Sequence, residues 1–423
     1  MLINYRNMAK IRNFKDTNRF KEVIMNLTWD IAMKVIITVL LCTSVFALAA
    51  CSREFSQEPE KVSVRDLTAS ESAVKRASED FGFLLLQELH KEAQDDNLFI
   101  SPLSVSMALG MTLNGANGDT ETAMRSTLNM ADMSQQQINE AYASLIELLT
   151  AIDPKVQFEI DNSIWSRMGF EVEPDFIDIN KTYFDAEVQT LDFGSAQAPQ
   201  TINAWVNDKT HGKIEKIVDS IPPDLMMYLI NAIYFKGTWM YEFDKAETRE
   251  KPFYISDGDD VQTDLMIQTN DNFPYFETEE MQAIDLPYGN GQFRMSVFLP
   301  RSGVSVHDIL DRLNGNVWQE WTQQFAAQRG TLELPKFKLE YKKMLNPALA
   351  DMGMSIAFGR EADFTGINKK GNLLISEVLH KTFVDVNEEG TEAAAVTSVG
   401  VSLTSVGGPK PGFVMSVNRP FFF

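Results

Sequence analysis

The sequence predicts one large domain of mixed α and β structure, and three observations carry that reading. The first is scale. A chain of 423 residues, 44% hydrophobic and 10% aromatic, can enclose the core of one big domain or two ordinary ones. The second is a set of strand signals, of which Tyr228 to Trp239 (YLINAIYFKGTW) is the plainest: Leu229, Ile230, Ile233, Tyr234 and Phe235 read as a buried strand and Lys236-Gly237 as a turn. The third is a set of helical stretches between them. Ser72 to Gln94 lines Ala73, Ala77, Phe81, Leu84, Leu85 and Leu89 along one side.

Composition removes several functional classes. Asp and Glu total 59 against 38 Lys and Arg, a formal net charge of −21. Nucleic acid is held mainly by basic side chains against phosphate, so it is a poor partner for this chain. The two cysteines, Cys42 and Cys51, sit near the N-terminus, which leaves the globular part without disulfides or cysteine-based zinc sites. His90, His211, His307 and His380 are scattered and show no HExxH spacing, and there is no P-loop, GxGxxG or GxSxG. No cofactor, metal or catalytic residue is expected.

Taken from the start, residues 35 to 50 (VIITVLLCTSVFALAA) form an apolar run behind Lys34. The run is short for a membrane span, which needs about 20 residues, and suits a signal-peptide core. It ends Leu48-Ala49-Ala50-Cys51, which resembles a bacterial lipoprotein cleavage box, with Cys51 as the acylated residue; an ordinary signal with an incidental cysteine is the plainer alternative. Met33-Lys34 is the natural start of such a signal. Residues 1–32 then read as a mis-assigned extension, 33–50 as the signal, 51–71 as a polar tether and 72–423 as the globular domain. Two acyl chains and a tether would hold that domain at a membrane surface without spanning it.

After the first helix, Asn97 to Ser101 reads as a short strand and Ser101-Pro102 as the start of a helix that ends at Asn114-Gly115. Val156 to Arg167 alternates as a strand. Ala283 to Pro300 gives two strands around Tyr288-Gly289-Asn290-Gly291, a hairpin signal. Ser376 to Val386 is a strong strand reading, and Asn387 to Ser405 (NEEGTEAAAVTSVGVSLTS) follows it with no proline. Every second residue there, Thr391, Ala393, Ala395, Thr397, Val399 and Val401, is small or β-branched. The triple alanine favours helix, so the segment can be a strand, an Ala-rich helix or a surface loop.

Several of these stretches resemble one family in order. Residues 97 to 120 are similar to the block NxFxSPxSxxxAL…GAxGxT of serpins, most of which inhibit proteases. Thr201 to Val218 resembles the family's NxWVxxxTxGKI, Tyr228 to Trp239 its LxNAIYFKGxW, and Glu388 to Ala395 the hinge of its reactive loop. Leu332 to Lys338 and Ala362 to Ile367 extend the likeness, which covers about residues 72 to 423. It implies an α+β serpin fold: three β-sheets, eight or nine helices and an exposed reactive loop. It also implies a monomer that is not an enzyme but bait. A protease cuts the loop, and the freed strand enters the largest sheet before the acyl-enzyme hydrolyses.

The resemblance assigns four groups of residues. The hinge is Glu388, Glu389, Gly390, Thr391, Glu392, Ala393, Ala394 and Ala395, where bulk or charge at alternate positions would block entry. The shutter is Ser101, Ser104, Asn231 and His380, a polar cluster under two central strands. The breach, where insertion begins, is Trp239, Lys336 and Glu388, the last two as an ion pair worth at most about 1 kcal/mol if it lies at the surface. The scissile bond falls at Thr404-Ser405, with Leu403 and Val401 as rivals. The absence of Lys and Arg from 401 to 408 disfavours trypsin-like targets and favours elastase-, subtilisin- or chymotrypsin-like serine proteases, with papain-like cysteine proteases also open. The alternative is a non-inhibitory serpin-fold binding protein. A lipid anchor on a serpin resembles examples from Bacteroidetes-type bacteria and implies the cell envelope, at the outer-membrane surface or outside it. Asn418-Arg419-Pro420-Phe421 matches the family's closing motif, after which about two further strands are usual, so the sequence ending at Phe423 is expected to be a fragment.

Overall fold

The computed structural model describes residues 64–92, 96–256, 259–391 and 412–423. The first helix, α1 (Ala69–Glu92), begins where Thr68 and Glu71 exchange hydrogen bonds: Thr68 N–H donates to Glu71 Oε2 at 2.7 Å and Glu71 N–H to Thr68 Oγ1 at 3.2 Å. Glu71 is buried, and its hydrogen bond from Arg65 holds the carboxyl far below the usual carboxylate range despite that burial. Helix α2 (Pro102–Leu113) has Pro at its first turn and Ser101 as N-cap, accepting from Ser104 N–H. Then come α3 (Gly118–Thr127) and α4 (Gln135–Ala151), the latter opened by a Ser134/Gln137 capping box. With α5 (Pro174–Phe184), these helices enclose the largest apolar core. Phe81, Leu85, Met107, Met111, Ile138, Tyr142, Phe176 and Phe184 are all fully buried there.

Two sheets pack beside that helical core. The first has strand order β2-β1-β3-β11-β10-β9. Its members are β1 (Val156–Arg167), β2 (Ala186–Leu191), β3 (Met227–Thr238), β9 (Phe337–Met344), β10 (Leu379–Val386) and the two-residue β11 (Gly390–Thr391). Helix α6 (Gln197–Lys209) lies on one face, where Trp205 and Val206 pack with Tyr228 and Ile230. The other face meets the second sheet: Phe235, Val384 and Val386 share a core with Met266, Leu286 and Leu332.

The second sheet runs β12-β8-β5-β6-β7, with β4 (Arg249–Ser256) paired to β5 (Asp259–Glu277). The other members are β6 (Met281–Tyr288), β7 (Phe293–Pro300), β8 (Ala326–Pro335) and β12 (Phe413–Ser416). Helices α7 (Val306–Leu310) and α8 (Gly315–Thr322) follow β7, and α9 (Asn346–Leu349) follows β9, making nine α-helices among the described residues. The α+β architecture is as expected, with one difference in its sheets. Three sheets were expected, and hydrogen bonding joins the described strands into two, because the 19-residue β5 pairs with β4 and β8 along its length and with β6 at its end.

A second expectation needs correction. Asn97–Ser101 is extended but joins no ladder among the described residues. Its backbone polar groups are taken by side chains of β10: Thr382 Oγ1 donates to Phe99 O at 2.5 Å, and Ser101 N–H donates to His380 Nε2 at 2.9 Å. Those two bonds tie a half-buried segment to β10 without a partner strand.

Candidate functional site

The site is the line where β3 and β10 should meet. One edge of β3 pairs with β1 along most of its length. Among the described residues the opposite edge pairs only with β11, Gly390 against Thr238 and Thr391 against Gly237. β10 pairs fully with β9, and on its other edge, among the described residues, only Val386 pairs, with Thr391. Among the described residues no ladder joins β3 to β10. A cavity of about 1130 Å³ lies along them, lined by Leu229, Asn231, Ile233 and Phe235 from β3 and by His380 and Thr382 from β10. β11 is therefore a wedge at the top of a parted sheet.

The wedge is held from several sides. Trp239 Nε1–H donates to Asn387 O at 2.9 Å, while Trp239 N–H donates to Glu389 O and Phe243 N–H to Glu388 O, each at 2.9 Å. The Trp239 ring stacks on Tyr288 with centroids 4.3 Å apart, and Tyr288 OH meets Thr391 Oγ1 at 2.6 Å. Gly390 has φ 155°, and a Cβ there would stand 2.0 Å from Gly237 O, so the backbone passes where no other residue fits.

Lys336 and Glu388 form an ion pair, and it is half interior rather than the surface pair that was the plainer alternative: the Lys336 side chain is 37% exposed and that of Glu388 6%, with Nζ 3.2 Å from Oε1. Burial opposes the Glu388 charge. A backbone N–H, Thr248 Oγ1 at 2.8 Å and Lys336 outweigh it, and the carboxyl stays below its ordinary value. Next to it, Lys245 makes an ion pair with Glu389, which raises the Lys245 ammonium.

Below the wedge lies the polar cluster. His380 is buried, and burial alone pushes its pKa down to about 4. A neutral imidazole is what the contact requires, since Nε2 accepts from Ser101 N–H. Ser101 Oγ in turn accepts from Ser104 N–H at 3.4 Å. Asn231 is not bonded to that trio. Its amide donates to Asn162 Oδ1 at 2.9 Å, and Asn162 donates to Phe184 O at 2.7 Å. Asn231 Oδ1 is buried with no hydrogen-bond partner among the described residues.

The structure thus brings together Ser101, Ser104 and His380, sets Asn231 across the slot, and brings Trp239, Lys336 and Glu388 around the wedge. Glu392, Ala393, Ala394, Ala395 and the bond candidates Val401, Leu403, Thr404 and Ser405 lie outside the described residues, as does Cys51. Sequence reading missed Asn162, Tyr288, Lys245 and Thr248. Each meets the site from a distant part of the chain and carries no local pattern; only the polar interruption of an apolar strand at Asn162 hinted at a role.

A family model described as serpin (serine protease inhibitor) matches residues 76–423. Iripin-8 of Ixodes ricinus is 34% identical over 359 residues, covering 82% of this chain and 88% of its own length. Intracellular coagulation inhibitor 2 of Tachypleus tridentatus is 33% identical, covering 84% and 87%. Among solved structures, the thermophilic serpin tengpin in its native state superposes with a TM-score of 0.75 at 33% identity, covering 85% of this chain and 91% of that one. Human thyroxine-binding globulin gives 0.75 at 26% identity, covering 84% and 94%.

Proposed function

The chain belongs to the serpin family, and we propose that it is a suicide substrate of serine proteases, with elastase-, subtilisin- or chymotrypsin-like enzymes as targets. At family level these proteins are mostly protease inhibitors rather than enzymes. The observation that carries the reading is the wedge: Gly390 and Thr391 pair with β3, Thr391 pairs with β10 as well, and among the described residues no ladder joins those strands below it.

In this reading the protease serine Oγ attacks the carbonyl of the bait bond, the amine end leaves, and an acyl-enzyme remains on the segment that begins at the wedge. That segment then extends β11 down the slot. Continuing the observed register sets Ala393 opposite Phe235 and Val384, Ala395 opposite Ile233 and Thr382, and Thr397 opposite Asn231 and His380. Thr391 points to Tyr288, so the residues at every second place after it point to the same inner face. Small side chains there match a slot whose walls are already built, and the Thr397 hydroxyl would bring a donor to the orphan Asn231 Oδ1. A strand of about ten residues bonded on both edges, at about 1 kcal/mol per bond, supplies on the order of 10 kcal/mol to drag and hold the enzyme.

We further propose that Cys51 carries a lipid anchor and that 51–71 tethers a monomeric domain, 72–423, at the bacterial envelope surface. Labelling with a palmitate analogue, lost in Cys51→Ala, tests this; equal labelling of both chains refutes it.

The inhibitor reading is tested by mixing the protein with elastase and running a denaturing gel. An SDS-resistant band at the summed mass, with the cut mapped between Val401 and Ser405, is expected. Clean cleavage without that band, repeated with subtilisin, chymotrypsin and papain, would replace the reading with that of a non-inhibitory binding protein.

A further inference from the structure

Far from the slot, two histidines face one another. His90 lies in the last turn of α1 and His307 in the first turn of α7, and His90 Nε2 contacts His307 Nδ1 directly, with ring centroids 4.3 Å apart. Neither ring belongs to the loop-insertion machinery. We propose that His90 and His307 form a two-histidine site for a borderline divalent transition-metal ion (Zn²⁺, Ni²⁺ or Cu²⁺), with water in the remaining positions.

Three observations support the site. The backbones that carry the rings are clamped. Gln87, one turn before His90, donates from Nε2 to Leu310 O at 3.0 Å and to Leu313 O at 2.8 Å. Ser305 and Asp308 form a capping box around the start of α7, and Ile309 and Leu310 are buried beneath it. The rings themselves retain room, since His307 is exposed and His90 half-buried. Two imidazole nitrogens on a tetrahedral ion, with bonds of about 2.0–2.1 Å, stand about 3.3 Å apart. The facing nitrogens are closer than that, so binding requires the exposed His307 side chain to turn away from His90.

Charge is also suitable. Burial and the neighbouring His307 hold the His90 imidazole below its ordinary value, so it is a neutral ligand at pH 7, while Asp311 opposes that shift and offers a negative charge to a cation. The other charged groups nearby are engaged: Glu88 with Lys91, Arg312 with Glu280, and Asp308 in the cap. A neutral pair that shares one proton between the facing nitrogens must move it to the far nitrogen of its ring, so metal binding at pH 7 releases no proton. Imidazole suits Zn²⁺, Ni²⁺ and Cu²⁺, whereas Mg²⁺ and Ca²⁺ prefer oxygen. Among the described residues no three ligating side chains converge, so the site is open, with micromolar rather than structural-zinc affinity expected.

The test uses the full chain with Cys42 and Cys51 replaced by Ser, to remove thiol binding. Zn²⁺ titrated at pH 7.5 should bind one ion per chain and raise the thermal midpoint, reversibly with EDTA. His90→Gln and His307→Gln should each weaken binding by at least about tenfold, the loss that even an outer partner of a ligand can cause. His211→Gln, at the other exposed histidine, should leave it unchanged. Bound Cu²⁺ should show hyperfine coupling to two imidazole nitrogens. Unaltered Zn²⁺ binding in the His90→Gln/His307→Gln chain, or a Cu²⁺ spectrum with oxygen ligands only, overturns the proposal. Midpoints measured without metal check that the variants fold; if His90→Gln does not, His307→Gln carries the test, since that ring is exposed.

Discussion

Acidification should destabilise the folded chain through His380, and the size of the effect can be worked out. The imidazole is buried, accepts from Ser101 N–H, and has its pKa pushed down to about 4 by burial alone. In the unfolded chain it titrates near 6.5. The sign follows from proton counting. Above pH 6.5 neither state holds the proton, and the His380 contribution is fully present. As pH falls from 6.5 towards 4 the unfolded chain takes up a proton that the folded chain refuses, so stability is lost. At about 1.4 kcal/mol per pH unit, the loss approaches about 2–3 kcal/mol at pH 4.5. Other groups also titrate, so the comparison is with His380→Gln, whose amide oxygen can accept from Ser101 and takes no proton. Urea midpoints read by tryptophan fluorescence at pH 7.5, 6.0 and 4.5 should favour the wild type at neutral pH, with the gap closing by about 2–3 kcal/mol at pH 4.5. Two curves that fall in parallel would refute the assignment of a neutral, desolvated imidazole under β10.

Three further outcomes are expected. Ala395→Arg places a long charge opposite Ile233 and Thr382 in the extended register, so an elastase-type protease should cleave the variant while the SDS-resistant band falls by at least about tenfold, as read by gel densitometry. Gly390→Val puts a Cβ 2.0 Å from Gly237 O and should expel β11, seen as faster hydrogen exchange at the Trp239 amide, which donates to Glu389 O. Tyr288→Phe leaves Thr391 Oγ1 without its partner and should cost about 1–3 kcal/mol in chemical denaturation, whereas the double change Tyr288→Phe/Thr391→Val should recover part of that loss.

What was legible in the chain was local. β1 runs from Val156 to Arg167, the span its alternation marks, and β3 differs from its reading by one residue at each end. The start of α2 follows from Ser101-Pro102 because both the cap and the fixed proline φ act within one turn. What was not legible depended on distant partners. Asn97–Ser101 has strand composition, but it is tied to the fold by two side chains of β10, some 280 positions later, rather than by a ladder. Glu388 carries no sign of burial in its own neighbourhood. Thr248, Lys336 and backbone N–H groups make burial tolerable, and only the fold brings them together. The merger of three expected sheets into two is likewise a property of β5 as a whole, since its 19 residues exceed the span that any one partner strand covers.

The two regions that define the site divide the same way. The alternation of small residues after Gly390 says what could enter a sheet, but nothing in it says where. That comes from β3 and β10, whose facing edges pair, among the described residues, only with β11 at one end. An open edge is a template for another strand, and proteins generally blunt or cover theirs. Here two such edges face each other, and among the described residues the only segment paired with both is β11. In the proposed inhibitory reading, connectivity would give that segment an effective concentration no separate peptide can match, so the slot would be filled from within the chain. The hold on β11 by Trp239, Tyr288 and the Glu388 and Glu389 carboxylates would then have a definite consequence. It would set the register before insertion, and a one-residue slip would turn Glu392, rather than Ala393, toward the core.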